Sequence, residues 1–291
     1  MRSKTRDGST PATCEARPCA QAYRWPVTGW EQIIVSGTRF TDVRRVAEID
    51  STNVALLALA REGAPEGLVL VADHQLAGKG RLGRTWQAPV GASLLVSVLI
   101  RPPVVPERAH LFTIAAAMAA ADACSELAGV RPDLKWPNDL VVGQGADTRK
   151  LAGLLAESVI GDGQLRGLVV GMGLNVRWPA ELPEDLAGIA VALNHLSEVR
   201  VDRIALLVRW LELFDAAYGR LIAPGGTGAA MLLARYRDTC ATLGREVRVE
   251  VADRVLEGRA VDVDDHGHLL VQVGPDLVEV TAGDVVHVRP S

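Results

Sequence analysis

The chain has 291 residues, 48% of them hydrophobic and 23% charged, enough for one sizeable domain and a small one and unlike a disordered chain. Its formal net charge of −4 excludes a basic field that would draw the whole molecule to nucleic acid, and no stretch reads as an unbroken apolar run of the ~18–20 residues that span a bilayer. The nearest such run, 111–123, is interrupted by Thr113 and Asp122.

Residues 1–29 mix Arg, Asp, Ser, Pro and Cys without a period of 2 or 3.6 and read as a disordered tail. Short strands are expected within 30–40 and 44–49. Asp50-Ser51-Thr52-Asn53 then precedes Val54, Leu56, Leu57 and Leu59 at helical spacing, an N-cap signal for a helix ending at Gly63. Residues 67–73 form a Leu-Val-rich strand, 92–101 another, and the long loop between them suggests an active-site flap. A helix over 106–127 begins at Pro106 and stops at Gly129, its alanines implying close packing on a sheet. Runs near 133–142, 150–158 and 165–176 are joined by turn residues, so a largely antiparallel sheet is expected. Residues 177–200 read as irregular, with a short helix near Glu181. Asp202 caps an amphipathic helix to about 222, and a second helix covers 229–239. Five short runs, 246–251, 255–263, 268–273, 277–281 and 285–288, predict a small SH3-type barrel leaning on the larger domain.

The cysteines, Cys14, Cys19, Cys124 and Cys240, show no C-x-x-C or Cys/His spacing, and no secretory segment is evident. A reduced, cytoplasmic protein is expected, with no structural metal and with Cys124 and Cys240 as buried small hydrophobes.

The most unusual stretch is Gly78-Lys79-Gly80-Arg81-Leu82-Gly83-Arg84, three cations among three glycines, with Gln75 before it and Trp86 after it. Glycines bring backbone N–H groups close to a ligand and arginine forks suit phosphate or carboxylate, so the loop is fit to wrap an anion. It also spells G-x-G-x-x-G, but that fingerprint needs a helix opening at the third glycine and an acidic residue about 20 positions on. Here Gly83 leads into Arg-Thr-Trp-Gln-Ala-Pro-Val-Gly, so a dinucleotide site is set aside, and there is no Walker loop.

Polar residues fall into three clusters: Ser51 to Asn53 with Gln75, the Lys79/Arg81/Arg84 loop, and Lys135, Asn138 and Asp139 with Lys150 and Asn175. Singly, an N-cap, surface lysines and a turn asparagine account for them. Together they set four or five cations against one obvious carboxylate, which suits a polyanionic substrate such as a nucleoside triphosphate meeting a carboxylate.

At this point five motifs carry a resemblance to the biotin protein ligases: Asp50-Ser51-Thr52-Asn53, Gln75 to Trp86, Lys135-Trp136-Pro137-Asn138-Asp139, Lys150-Leu151-Ala152-Gly153 and Gly171-Met172-Gly173-Leu174-Asn175. The resemblance implies an α+β fold, a mixed and largely antiparallel sheet of the class II synthetase-like biotin/lipoate ligase kind, followed by an SH3-like β-barrel. It divides the chain into a tail (1–29), a catalytic domain (30–242) and a C-terminal domain (243–291). It implies an ATP-dependent ligase that makes biotinyl-5′-AMP and passes biotin to a lysine of a biotin carboxyl carrier domain, with Mg²⁺ entering on ATP. Ser51, Thr52, Asn53, Gln75, Lys79, Gly80 and Gly153 would bind biotin, the first pair and Gln75 holding its ureido ring. Arg81 and Lys150 would bridge the biotin carboxylate and the α-phosphate. Arg84 and Lys135 would screen the outer phosphates, Trp86, Asn138 and Asn175 would hold the adenine, and Asp139 would receive or orient the acceptor amine.

Two departures stand out. Lys79 occupies a position where many relatives carry arginine, which keeps the charge and loses the fork. Fewer than 50 residues precede Asp50, whereas bifunctional members carry a winged helix-turn-helix there, so no repressor function, nucleic-acid partner or membrane association is expected. A lipoate or octanoyl transfer enzyme and a biotin-responsive DNA-binding regulator are the alternatives, and the open edge of the main sheet leaves a homodimer as one arrangement.

Overall fold

The computed structural model describes residues 29–182, 184–251, 254–281 and 283–287; the tail expected over 1–29 lies, but for Gly29, outside the described residues. The larger sheet has eight strands, β1 (Glu31–Ile33), β2 (Asp42–Ile49), β3 (Leu68–Gln75), β4 (Ser93–Ile100), β5 (Asp133–Lys135), β6 (Asp139–Val142), β7 (Arg149–Gly161) and β8 (Gln164–Asn175). Their order is β1-β2-β3-β4-β8-β7-β6-β5. The sheet is mixed and largely antiparallel: β2 and β3 run parallel because α1 (Thr52–Arg61) crosses over between them, while the other neighbours are antiparallel.

β4 is buried along its whole length, and its two faces serve two cores, as period-2 geometry requires. Leu95 and Leu99 meet Leu56 and Leu59 of α1 on one face. Leu94, Val96, Val98 and Ile100 meet the other helices on the opposite face. These are α2 (Ala109–Ala128), α4 (Arg203–Ile222) and α5 (Thr227–Thr239); a further short helix, α3, covers Glu184–Ala187, just beyond the helix expected near Glu181. Gly129 ends α2 at φ 69, the left-handed stop read from the sequence. By length and composition Pro106–Ala128 could cross a membrane, but 78% of its apolar window is buried inside the fold. It is the central core helix, and its apolar run is interrupted by Thr113 and Asp122, as read from the sequence.

Asp202 Oδ1 accepts from Ile204 N and Ala205 N, both at 2.9 Å, a cap of about 1 kcal/mol that fixes the start of α4. Asp73 ties this start to the sheet, pairing with Arg203 at 2.8 Å and Arg45 at 2.9 Å. Burial works to raise the Asp73 pKa, and the hydrogen bonds from the two guanidiniums bring it below the ordinary carboxylate value. Cys124 and Cys240 are free and buried, and burial pushes the Cys124 thiol up to about 12, as suits an inert core residue.

The C-terminal sheet, β9 (Glu246–Val251), β10 (Arg254–Val263), β11 (Leu269–Val273), β12 (Asp276–Val280) and β13 (Asp284–His287), is antiparallel in the order β12-β11-β10-β9-β13. It is the small SH3-like module expected, though Val288 lies outside the described residues. Trp136, 1% exposed, joins the two sheets: its indole Nε1 donates to Gly267 O at 3.0 Å and its N–H to Thr242 Oγ1 at 3.0 Å. The C-terminal module thus braces the turn that carries Asn138 and Asp139.

Candidate active site

Ser51 holds the N-cap position of α1, but its hydroxyl makes no capping bond. Gln75, at the end of the parallel neighbour β3, takes that role: its Oε1 accepts from Thr52 N at 2.7 Å. The Ser51 hydroxyl therefore remains on the cleft wall. Ser51, Thr52 and Asn53 are at most 5% exposed and line the cleft with Gln75 and Ser97.

The loop after β3 is a small hairpin. Gly80 N donates to Arg84 O at 2.7 Å and Trp86 N to Gly78 O at 2.9 Å, with Lys79 and Thr85 bridged between. Gly78 is required at its base, since a Cβ there would lie 2.5 Å from Trp86 O. A single 3-10 turn spans Arg81–Gly83 with Leu82 at φ 54, so no helix follows the third glycine. Lys79, Gly80, Arg81, Arg84 and Trp86 all line it, and Arg81 Nη1 donates to Asn138 Oδ1 at 3.4 Å.

Trp86 lies on a floor of glycine. Gly153 and Gly173 are paired across β7 and β8, and a Cβ on Gly173 would come within 2.4 Å of the indole. The indole Nε1 is buried without a hydrogen-bond partner, a state that costs about 1–3 kcal/mol. Gly171 makes room in the same way for Asn53, whose Oδ1 would be 2.0 Å from a Cβ there.

Lys150 and Gly153 both face this floor, although residues three apart in a regular strand point to opposite faces. A register shift in the β6–β7 pairing between Leu140 and Val141 supplies the bulge that turns Lys150 inward. A Cβ on Gly153 would lie 2.9 Å from Lys150 Nζ. Nζ stands 2.7 Å from Asp139 Oδ1, an ion pair more than a well-directed hydrogen bond, and 5.4 Å from the Trp86 ring centre. Asp139 is the one carboxylate among the described cleft-lining residues, and Gly283 of the C-terminal module completes the wall.

Of the residues expected to bind ligand, Lys135 and Asn175 do not line the cleft. Lys135 is paired in register with Asp139 at the sheet edge. Asn175 is 2% exposed and its side chain is already committed, Oδ1 accepting from Ser93 Oγ at 3.3 Å and Nδ2 donating to Val191 O at 3.0 Å. It pins the 189–191 segment, which in turn pairs with Lys150, with Lys150 N donating to Ile189 O at 2.7 Å and Val191 N to Lys150 O at 3.0 Å. Its place is behind the lysine, in support of it. Ser97 and Glu157 were absent from the sequence-derived set; the signal for Ser97 was a hydroxyl inside an otherwise apolar run.

The cavity beneath the loop holds about 120 Å³, below the ~300–1,000 Å³ of pockets that bury a small molecule. A ligand of nucleotide size therefore requires the loop, or Trp86, to move.

Residues 46–175 match the biotin/lipoate A/B protein ligase family and residues 242–288 the biotin protein ligase C terminal domain. The chain is 38% identical to the biotin–[acetyl-CoA-carboxylase] ligase of Mycobacterium tuberculosis over 265 residues, 89% of this chain and 94% of that protein. It is 29% identical over 238 residues to the bifunctional ligase/repressor BirA of Bacillus subtilis, covering 81% of this chain and 71% of the relative. The fold is that of the Aquifex aeolicus biotin protein ligase solved with biotin and ATP, with a TM-score of 0.69, 24% identity, and 84% of this chain and 98% of that one covered. The chain belongs to the biotin protein ligase family.

Proposed function

We propose that the protein activates biotin with ATP to biotinyl-5′-AMP and transfers the biotinyl group to a lysine of a biotin carboxyl carrier domain. The observation that carries this is the convergence of Arg81, Lys150 and Asp139 from three separate segments beside a neutral donor/acceptor corner. A carboxylate and an α-phosphate repel, and two cations fixed between them lower the cost of their approach. Lys150 rests against Asp139 and would leave it for the substrate anions as they enter. Asp139 is then released to accept a proton from the acceptor ammonium, since only a neutral amine attacks the mixed anhydride. Attack breaks the bond between the acyl carbon and the phosphate oxygen, and AMP departs with that oxygen. Ser51, Thr52 and Gln75 would hold the ureido ring, which needs both donors and acceptors. Arg84 would screen outer phosphates at the loop's exposed end.

Mg²⁺ would arrive on ATP. The described cleft offers the single carboxylate Asp139, already paired with Lys150, so the phosphates would supply most of the ion's ligands. Residues 30–242 would carry the chemistry and 243–291 would brace its turn, with neither nucleic acid nor a membrane as partner.

The test is incubation of the purified protein with biotin, ATP, Mg²⁺ and an apo carboxyl-carrier domain, read by intact mass. A gain of one biotinyl group is expected, and absence of any gain overturns the proposal. Lipoate or octanoate transfer under the same conditions would favour the alternative, against which the Gly78–Arg84 loop and the Lys135–Asp139 turn occurring together already count.

A further inference from the structure

Behind the corner of Ser51, Thr52 and Gln75 lies a chain of buried side chains. Asn53 Nδ2 donates to Glu157 Oε2 at 2.9 Å and to Leu155 O at 3.1 Å. Both partners only accept, so the amide cannot turn over and Oδ1 must be its acceptor end. Ser97 Oγ lies 2.6 Å from that Oδ1 and 2.7 Å from Thr52 Oγ1. Thr52 Oγ1 in turn is 3.0 Å from Gln75 Oε1. Ser97 is fully buried and Thr52 is 3% exposed, so outside the ligand cleft these hydroxyls have only one another and their amide neighbours to bond.

Three oxygen–oxygen contacts are thus served by two hydroxyl protons. If Ser97 gave its proton to Thr52, the buried Asn53 Oδ1 would lose its donor. If Thr52 gave its proton to Gln75 while Ser97 kept Asn53, two lone pairs would face each other at 2.7 Å. One arrangement gives both amide oxygens a donor and leaves no facing lone pairs at the two shortest contacts. Thr52 donates to Ser97, Ser97 donates to Asn53, and Gln75 Oε1 keeps the Thr52 backbone N–H at 2.7 Å. The contact left without a proton is then the longest, Thr52 Oγ1 to Gln75 Oε1 at 3.0 Å.

We propose that Ser97, held by Asn53 and Glu157, is a positioning residue that fixes the Thr52 hydroxyl as an acceptor, so that Thr52 and Gln75 present paired acceptors to one N–H of the ligand. The relay makes the corner selective for a ligand with an N–H at this position and against the same ring carrying oxygen there. Gly171 is part of the device, because any Cβ would displace Asn53 Oδ1, 2.0 Å away. The inference rests on the biotin ligase function proposed above, and its test separates the two.

The full-length protein, its Ser97→Ala variant and its Asn53→Ala variant are assayed for ligation of biotin and of a biotin analogue in which one ureido N–H is replaced by ring oxygen, each of the two ring positions in turn. Without Ser97, the Thr52 proton turns to Gln75 and closes the acceptor pair. Without Asn53, the Ser97 proton turns to Thr52 with the same result. In each variant KM for biotin should rise about tenfold, as for loss of one hydrogen bond, with kcat within about twofold. For one of the two analogues, KM should barely change between wild type and variant, so the preference for biotin over it should fall by about the same tenfold. Equal rises in KM for biotin and both analogues would mark a general disturbance and overturn the relay. A wild-type protein that ligates biotin with unchanged preference in both variants also overturns it and leaves the ligase function standing. A wild-type protein that ligates neither compound overturns the function and the relay together. If Ser97→Ala fails to fold, Asn53→Ala and Ser97→Thr, which keeps the hydroxyl and should keep the preference, decide the matter.

Discussion

Ser51, Thr52, Asn53 and Ser97, at the inner end of the cleft, are each 5% exposed or less, whereas Leu82 at the tip of the 78–86 loop is 69% exposed. The inner end is polar and neutral, held by side-chain bonds between α1, β3, β4 and β7. The loop is cationic, rich in glycine and closed mainly by its own short hairpin bonds. A group buried among fixed donors and acceptors can recognise a pattern of N–H and C=O, because a mismatch leaves a buried partner unsatisfied. A charged, exposed loop discriminates poorly but can order around an anion. On the proposed function the cleft would divide its work: identity at the buried end, charge and closure at the exposed one.

The largest effects should come from the charged side. Lys150→Ala removes the bulge-aimed cation beside Asp139 and should slow formation of the acyl-adenylate about 10²–10³-fold, as loss of one preorganised charge does. Arg81→Ala should instead release the adenylate, visible as free biotinyl-AMP in solution during turnover. Both measured by pyrophosphate release and by adenylate partition, they would break the division of labour if KM for biotin changed more than either of these quantities.

A smaller effect sharpens the boundary between the two ends. Gly173→Ala places a methyl about where the Trp86 indole now rests, 2.4 Å from its nearest atom. The loop should be lifted while the buried corner stays intact, so KM for ATP should rise about tenfold and KM for biotin should change by less than about threefold. Hydrogen exchange should fall in 78–86 on adding biotin and ATP, with little change in α1. Equal protection of both would show the two ends closing as one unit.

Much of this was legible in the sequence. Hydrophobic periodicity and turn residues marked the helices and strands, and the glycine–cation loop, Gln75 and the Asn138-Asp139 turn declare themselves by unusual chemistry against apolar flanks. What was not legible depends on tertiary geometry. The bulge that turns Lys150 to the same side as Gly153 has no local signature, and the replacement of Ser51 by Gln75 as the cap of α1 needs a parallel pairing of β2 with β3 that only the assembled sheet supplies. Asn175 and Lys135 look like ligands for the same reason that Ser97 does not. Polar residues at strand ends advertise themselves, while a lone serine in Leu-Val-Ser-Val reads as a minor flaw in a core strand. Which of them faces the cleft is decided by register, which a one-residue change reverses.

The weakest test concerns His110, which supports the charged end from behind. It lies in the first turn of α2, its ring 6.4 Å from that of Trp136 in an edge-on contact, and its Nε2 is buried without a partner. Burial first, then the positive fields of His268 and Arg81, lower its pKa to about 4. In the unfolded chain a histidine titrates near 6.5. Between pH 6.5 and about 4 the unfolded state therefore takes up a proton that the native state refuses, so stability falls as the pH falls through that window and the dependence vanishes above it. His110→Leu removes this proton and should flatten the loss by on the order of 1–3 kcal/mol, measured as the difference in urea-unfolding free energy between pH 7 and pH 4.5. Because Trp136 is the strut between the two sheets, the acid-weakened region should be the 136–139 turn that carries Asn138, the hydrogen-bond partner of Arg81. If the variant and wild type lose stability in parallel, His110 takes up its proton in the native state as readily as in the unfolded one, and the charged end has no such support. If the buried corner loosens first in acid, the firmer and the weaker ends of the cleft have been assigned the wrong way round.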